Sequence, residues 1–315
     1  MSIDPSGPAY AAIDIGTNSV KLLVARLRDG VLEPVLQRAA SPRVGRNLGT
    51  TGEISPAAFK DLMTALAGFL RDVEAAGARL VGTVATHAFR QARNGAPLLA
   101  EVSALLGSPC RILDGGEESR LGYLAVGNRH PHPRLVVLDI GGGSTEVTGP
   151  GAPGVSLPLG AVSMLEAWGR DPKVLRVKAA AAFGKGLGQR WEEPLLAVVG
   201  GTATALAMLE LKLSAFDSAA IEGLELDAPR VTAAVDRLAG LDERGRAALP
   251  GMDRSRLDIL VPGLCMLEAY LRWAGCRRFR VSDRGVRYGV ILAALEAAGT
   301  SPEAHPAAPS VSAGP

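Results

Sequence analysis

Ala11-Ala12-Ile13-Asp14-Ile15-Gly16-Thr17-Asn18-Ser19-Val20 returns in pattern as Val136-Val137-Leu138-Asp139-Ile140-Gly141-Gly142-Gly143-Ser144-Thr145. Each copy is an apolar, β-prone run, then an aspartate, one more apolar residue, and a turn of glycine with small polar residues. The two aspartates stand about one domain length apart. The echo predicts two similar halves, each opening on the same β-hairpin.

Outward from the hairpins, strands and helices alternate. Ser55-Pro56 supplies a cap and a first helical position, and Phe59, Leu62, Met63, Leu66, Phe69 and Leu70 keep helical spacing behind it. Residues 80–85 read as a buried strand, 97–106 as a short helix, 111–113 as a strand and 117–126 as a helix. Residues 128–134, with two prolines, read as the linker. In the second half 195–199 is a strand, Gly200-Gly201 a turn and 202–211 a helix, while helices 259–273 and 285–298 flank a strand at 278–281. This pattern predicts an α/β protein with mixed sheets and an interdomain cleft. The expected division is 9–128 and 129–299, with 1–8 and 300–315 as flexible tails.

Composition narrows the function classes. At 315 residues the chain exceeds the usual size of one hydrophobic core. Its 34 Lys+Arg against 32 Asp+Glu leave a charge of +2, which argues against a dedicated nucleic-acid binder. Cys110, Cys265 and Cys276 are odd in number and far apart, the pattern of neither a disulfide framework nor a zinc site. His130-Pro131-His132-Pro133 reads as a solvated turn. Residues 1–8 show no leader pattern, and the longest apolar stretch, 195–209, is broken by Gly200-Gly201-Thr202 and too short to span a bilayer. A cytoplasmic protein with no membrane partner is the expectation.

The turns carry the chemistry. Backbone N–H groups of Gly16, Thr17, Asn18 and Ser19, and of Gly141, Gly142, Gly143, Ser144 and Thr145, can converge on an anion. Asp14 and Asp139, at the mouths of these turns, suit a hydrated Mg²⁺ rather than a phosphate, which their charge repels. One such turn is more often a plain hairpin in which glycine supplies a positive φ. Two at domain spacing favour a phosphate held from both sides. Gly200-Gly201-Thr202-Ala203-Thr204 suits an anion at a helix N-terminus and close packing equally well, and it lacks the lysine of a Walker loop. Arg90 and Arg93, three apart, share a helical face and could clamp phosphate oxygens; Arg284 and Arg287 pose the same question, and solvated faces are the commoner fate of such pairs. Glu117 and Glu118 stand in the first turn of a helix and point different ways, so the local sequence modestly favours a helix-dipole role over a catalytic one.

Four runs occur in order: Ile13-Asp14-Ile15-Gly16-Thr17-Asn18-Ser19, Ala85-Thr86-His87-Ala88-Phe89-Arg90-Gln91-Ala92-Arg93-Asn94, Gly115-Gly116-Glu117-Glu118-Ser119-Arg120-Leu121 and Asp139-Ile140-Gly141-Gly142-Gly143-Ser144-Thr145-Glu146. Together they resemble the exopolyphosphatase / guanosine pentaphosphate phosphohydrolase family, within the superfamily of actin, sugar kinases and chaperone ATPases. The resemblance spans roughly residues 10–298. It implies two ribonuclease-H-like (actin-like ATPase) domains and hydrolysis of the terminal phosphate of inorganic polyphosphate, or of the 5′ γ-phosphate of guanosine pentaphosphate. It implies Glu118 as the catalytic residue, Asp14 and Asp139 as organisers of Mg²⁺ or another divalent cation, the two glycine turns as phosphate loops and Arg90 as an arginine facing the phosphate chain. Glu146 belongs to the second motif as a supporting residue. Enzymes of this kind often dimerise. Asp114 replaces a serine often seen before the glutamate motif, Leu257-Asp258 follows the family pattern loosely, and the chain's end near residue 300 resembles the short forms. The rival expectations are a kinase or ATPase of the same superfamily and a non-catalytic alarmone-binding protein.

Overall fold

The computed structural model describes residues 7–299; the expected tails at 1–6 and 300–315 lie outside the described residues. The first hairpin pairs β1 (Ala9–Ile15) with β2 (Val20–Arg28), and β3 (Val31–Ala40) continues the antiparallel meander. β4 (Arg79–Ala85) and β5 (Cys110–Ile112) then add parallel strands, giving the order β3-β2-β1-β4-β5. The second half repeats this plan. β6 (Leu135–Ile140), β7 (Thr145–Thr148) and β8 (Val155–Leu157) form the meander, and β9 (Leu195–Val199) and β11 (Arg278–Val281) run parallel to β6. A short antiparallel strand, β10 (Glu225–Asp227), closes the far edge. The sequence echo is therefore a duplicated, mixed α/β sheet with one hairpin in each half.

Helices cover both faces because alternate residues of the central strands are apolar on both sides. In the first half, α1 (Leu48–Thr51), α2 (Pro56–Ala75), α3 (His87–Gln91) and α4 (Gly95–Leu106) lie on one side of the sheet. There Leu62, Leu66, Phe69, Val102 and Leu106 pack on Ile13, Ile15, Leu22 and Val24. The Ser55 hydroxyl accepts from the Ala58 N–H and Pro56 occupies the first position, as the sequence predicts for the start of α2. In the second half α6 (Ala161–Trp168), α7 (Pro172–Gly186), α8 (Gly201–Leu211), α9 (Ser218–Ile221), α10 (Ala228–Ala239) and α12 (Leu260–Ala274) build the larger core, while α11 (Glu243–Ala247) buries no residue. Most of α6, α7 and α10 falls between the motifs, and the sequence reading did not anticipate them.

Two helices join the halves. α5 (Gly115–Arg129) packs Leu121 and Ala125 on the first sheet and Tyr123 and Val126 against Val137, Ala197 and Val199 of the second. It runs through Asn128 and Arg129, where a linker was expected, and Asn128 is tied to the β2–β3 turn by donating to the Gly30 carbonyl and accepting from the Leu32 N–H. α13 (Val286–Ala297) returns to the first half. Its Val286, Ile291 and Leu295 bury against Ala12, Leu23 and Val84, so the expected 129–299 unit gives its last helix to the first sheet. Among the described residues no helix is long and apolar enough to cross a membrane, and all three cysteines are free.

Candidate active site

The two hairpins have the same turn. The Gly16 N–H donates to the Ser19 carbonyl at 3.0 Å, and the Gly141 N–H donates to the Ser144 carbonyl at 3.0 Å. In each, the aspartate precedes the last strand residue and faces the next strand: Asp14 is opposite Lys21, and Asp139 is opposite Glu146. The turns face one another across the cleft. A Cβ on Gly142 would sit 3.1 Å from Thr17 Cβ and 3.3 Å from the Asn18 nitrogen, so a side chain there would press the two tips apart. Gly160 backs the second turn, and Gly45 donates to the Thr17 carbonyl behind the first.

Between the turns lies a cleft of about 800 Å³ of open space. Gly16, Thr17, Asn18 and Ser19 line it from the first half, and Gly141, Gly142, Gly143 and Ser144 from the second. Asp139, Glu118 and Glu146 also reach it. The loop Gly200-Gly201-Thr202 forms the floor, and here its glycines have steric reasons. Gly200 has φ +103°, and a Cβ there would press on the Ile140 carbonyl; Gly201 leaves room for the Arg256 guanidinium.

Glu118 owes its position to α5. The Asp114 side chain accepts from the Glu117 N–H at 2.8 Å while Glu117 reaches back to the Asp114 N–H, a capping box that turns Glu117 outward. One residue on, about 100° further round the helix, Glu118 projects into the cleft. It is 9% exposed, and its Oε2 accepts from Arg90 Nη1 at 2.9 Å. Burial raises its pKa, Arg90 opposes that, and the charges of Asp14 and Asp139 add to it, leaving it at about 7. That suits a proton acceptor at neutral pH.

Other expected residues fall differently. Arg90 donates to the Leu113 carbonyl and to Glu118, and its side chain is not among those lining the cleft. Arg93 does not share its face. α3 ends at Gln91 and Ala92 is extended, so Arg93 runs to the exterior and pairs with Glu53 at 3.2 Å. Thr145 is the first residue of β7; strand alternation turns its hydroxyl into the core, where it donates to the Leu159 carbonyl, and it is fully buried away from the cleft. Arg284 and Arg287 flank the Tyr288 ring, and Arg287 donates to Gln37 of β3. His130 is half-buried on Glu222 rather than solvated.

Two cations of the cleft were missed by the sequence reading, Lys21 and Arg256. Lys21 was legible in principle, since a turn that pairs Ile15 with Val20 must pair Asp14 with Lys21. Arg256 sits in an irregular segment and has no such signal. Burial and the charges of Arg287 and Arg256 pull the Lys21 pKa down to about 8, with Asp14 and Asp139 pulling it back.

The carboxylates outnumber these cations. Burial lifts Asp14, lifts Asp139 to about 6 and pushes Glu146 well above the usual carboxylate range, with Glu118 as the next largest cause for Glu146. Asp14 Oδ1 and both amide atoms of Asn18 are buried without a partner. Among the described residues no group of three or more His, Cys, Asp or Glu forms a metal cage. One or two carboxylates beside a phosphate is, however, how Mg²⁺ is usually held, with water completing its shell. The orphaned oxygen of Asp14 and the lining carboxylate of Asp139 fit that donor set.

Comparison with known proteins agrees with this geometry. The chain is 30% identical over 312 residues to exopolyphosphatase 2 of Mycobacterium tuberculosis, covering 90% of this chain and 97% of that one. A crystal structure of the Aquifex aeolicus Ppx/GppA family member superposes with a TM-score of 0.76 at 26% identity, covering 93% and 98% of the two chains. An exopolyphosphatase structure from Cytophaga hutchinsonii shares the fold, with a TM-score of 0.78 at 20% identity over 93% and 99%. Residues 23–298 match the Ppx/GppA phosphatase family, a span that takes in the second sheet, both bridging helices and the cleft-lining residues of the second half, and that begins within β2, after Asp14, the first hairpin turn and Lys21. With its hairpins, α5 glutamate and duplicated sheets all in place, the chain belongs to the Ppx/GppA phosphatase family.

Proposed function

We propose that this protein hydrolyses the terminal phosphate of inorganic polyphosphate and releases orthophosphate. The observation that carries the reading is Glu118: a buried carboxylate with a pKa near 7, fixed by Arg90, opening between two backbone turns that face each other. The terminal phosphate, with about two negative charges, rests between the Gly16–Ser19 and Gly141–Ser144 turns. Lys21 and Arg256 meet its oxygens from either side. Asp14 and Asp139 would hold a divalent cation, Mg²⁺ or a similar ion, which supplies charge neutralisation to the phosphate oxygens. Arg90 occupies Oε2 of Glu118, which leaves Oε1 to accept the proton of the attacking water. Arg90 thereby acts through Glu118, as a positioning residue.

No aromatic side chain lines the cleft among the described residues, so no aromatic ring there offers a stacking face to a purine. That favours an inorganic chain over guanosine pentaphosphate, and a hydrolase over a nucleotide-dependent kinase. The free cysteines support a cytoplasmic setting. The deciding experiment is orthophosphate release with Mg²⁺, without nucleotide, from polyphosphates of defined length and from guanosine pentaphosphate. Release from the inorganic chains is expected; release from the nucleotide alone would sink the reading.

A further inference from the structure

A second charged basin adjoins the cleft. η1 is a 3-10 turn at Arg254–Arg256, and it puts neighbouring side chains on opposite sides. Arg256 and Ile259 face the cleft, whereas Arg254, Leu257 and Asp258 face a separate basin with about 780 Å³ of open space. Both halves build this basin. Arg43 and Arg46 come from the segment after β3, whose Arg43 N–H donates to the Asn18 carbonyl of the first turn; Arg170 comes from the bend before α7, and Arg246 from α11.

The charges there are not balanced. Three carboxylates share the basin with five arginines. Asp258 is bound to Arg43, and the Asp242 side chain accepts from the Gly245 N–H as the cap of α11. Glu243 opposes from the exposed first turn of the same helix. Arg246 donates to the carbonyls of Leu238 and Leu257. Arg46, Arg170 and Arg254 are exposed and have no ion-pair or hydrogen-bond partner for their guanidinium groups among the described residues. Like charges crowded on one surface repel, so their convergence is unfavourable until an anion spans them.

We infer that Arg46, Arg170 and Arg254 form a distal subsite for the trailing phosphates of a long inorganic chain whose end lies in the cleft. This rests on the polyphosphate reading above and deepens it: the basin makes chain length the specificity determinant. Its cations are spread over separate elements, which suits a repeating polyanion. The planar guanidinium grips successive phosphate oxygens, and long exposed side chains can pass the polymer from one to the next as its end is cut. The Arg43–Asp258 pair stands in the wall of this basin.

The test replaces all three together, Arg46→Gln, Arg170→Gln and Arg254→Gln, and measures KM and kcat on long-chain polyphosphate and on tripolyphosphate, a short chain expected to stay within the cleft. Three exposed ion pairs removed predict a KM for the long chain raised about tenfold at low salt. The tripolyphosphate KM stays within about twofold, because no trailing phosphate reaches the basin. In a Glu118→Gln background, direct binding of long polyphosphate becomes less salt-dependent when the three arginines are replaced, since fewer counterions are released. A long-chain KM and a salt slope equal to those of the unaltered protein would overturn the subsite while leaving the polyphosphate reading intact. An equal rise for tripolyphosphate would overturn it too, since the arginines would then act as a general field. No release from either chain by the unaltered protein would instead remove the reading itself, and the subsite with it.

Discussion

Arg90→Met separates positioning from substrate binding. In the structure Arg90 Nη1 lies 2.9 Å from Glu118 Oε2, with both side chains largely buried, and it also donates to the Leu113 carbonyl. An opposite charge this close lowers a carboxyl pKa by about 1–3 units, so its loss moves Glu118 from about 7 to roughly 9. At pH 7.5 the ionised fraction then falls from about three-quarters to about 3%, and kcat falls about 25-fold if nothing else changes. The loss is recovered as pH rises, since the variant's base ionises at higher pH. The assay is kcat for orthophosphate release from tripolyphosphate between pH 6 and 10. The acidic limb should move up by about two units, with KM nearly constant. The lost bond to Leu113 costs about 1 kcal/mol of stability, read separately by urea denaturation. If the limb stays in place while KM climbs on every chain length, Arg90 contacts the phosphate and the positioning argument is wrong.

Glu118→Gln should lower kcat by about 10²–10⁴-fold with polyphosphate binding largely retained, and activity within tenfold of the unaltered enzyme would exclude Glu118 as the base. Gly200→Ala forces a side chain into a φ +103° backbone against the Ile140 carbonyl, and should cost about 2–4 kcal/mol by urea midpoint; an unshifted midpoint would show that the loop is slack. Burial pushes the Glu222 pKa up, but hydrogen bonds from His130, Asp283 and Ser282 outweigh it and hold it at about 2, below the ordinary 4.5. Its contribution is therefore complete above about pH 4.5 and is lost as pH falls toward about 2, worth at most about 3 kcal/mol. Glu222→Gln should flatten the stability slope across that window, and a slope matching the unaltered protein would refute the ionised network. Chelation of divalent ions should stop phosphate release and added Mg²⁺ should restore it; full activity in chelator would remove Asp14 and Asp139 from a metal role.

The hairpins were legible because their physics is local. A buried strand, an aspartate and a glycine turn specify a conformation within ten residues, and the repeat at domain spacing supplies the second half. Glu118 was less so: a glutamate in the first turn of a helix is ordinary, and only the burial of α5 between two sheets turns it inward. The capping box at Asp114 was written in the sequence and says which of two adjacent glutamates is free. By contrast, the docking of α13 on the first sheet leaves no local trace. The helix is apolar on nearly every face, so its pattern does not say which sheet it covers. Arg93 was misplaced because α3 stops one residue after Arg90, an ending set by the return of the chain to Gly52, whose carbonyl accepts from the Arg93 N–H.

The duplicated hairpins are equal in backbone and differ in side-chain chemistry at one matched position. Asp14 faces Lys21 across its strand pair, whereas Asp139 faces Glu146 at the matching position. Two identical turns would present the same charge to an anion from both sides. The substitution breaks the tie. Lys21 places a cation beside the first turn, whereas Glu146, pushed well above the usual carboxylate range by burial and by Glu118, places a readily protonated carboxyl beside the second; on the proposed reading the first turn is the side that attracts phosphate oxygens. Glu118 comes from the helix wedged between the two, so its carboxylate stands on the boundary. On that reading one lysine-for-glutamate difference gives the cleft its direction, and Lys21→Glu should weaken polyphosphate binding far more than its single lost contact implies, because it creates a like-charge pair with Asp14. Binding of tripolyphosphate to the Glu118→Gln, Lys21→Glu double variant measures that: affinity unchanged from Glu118→Gln alone would mean that charge asymmetry does not orient the site.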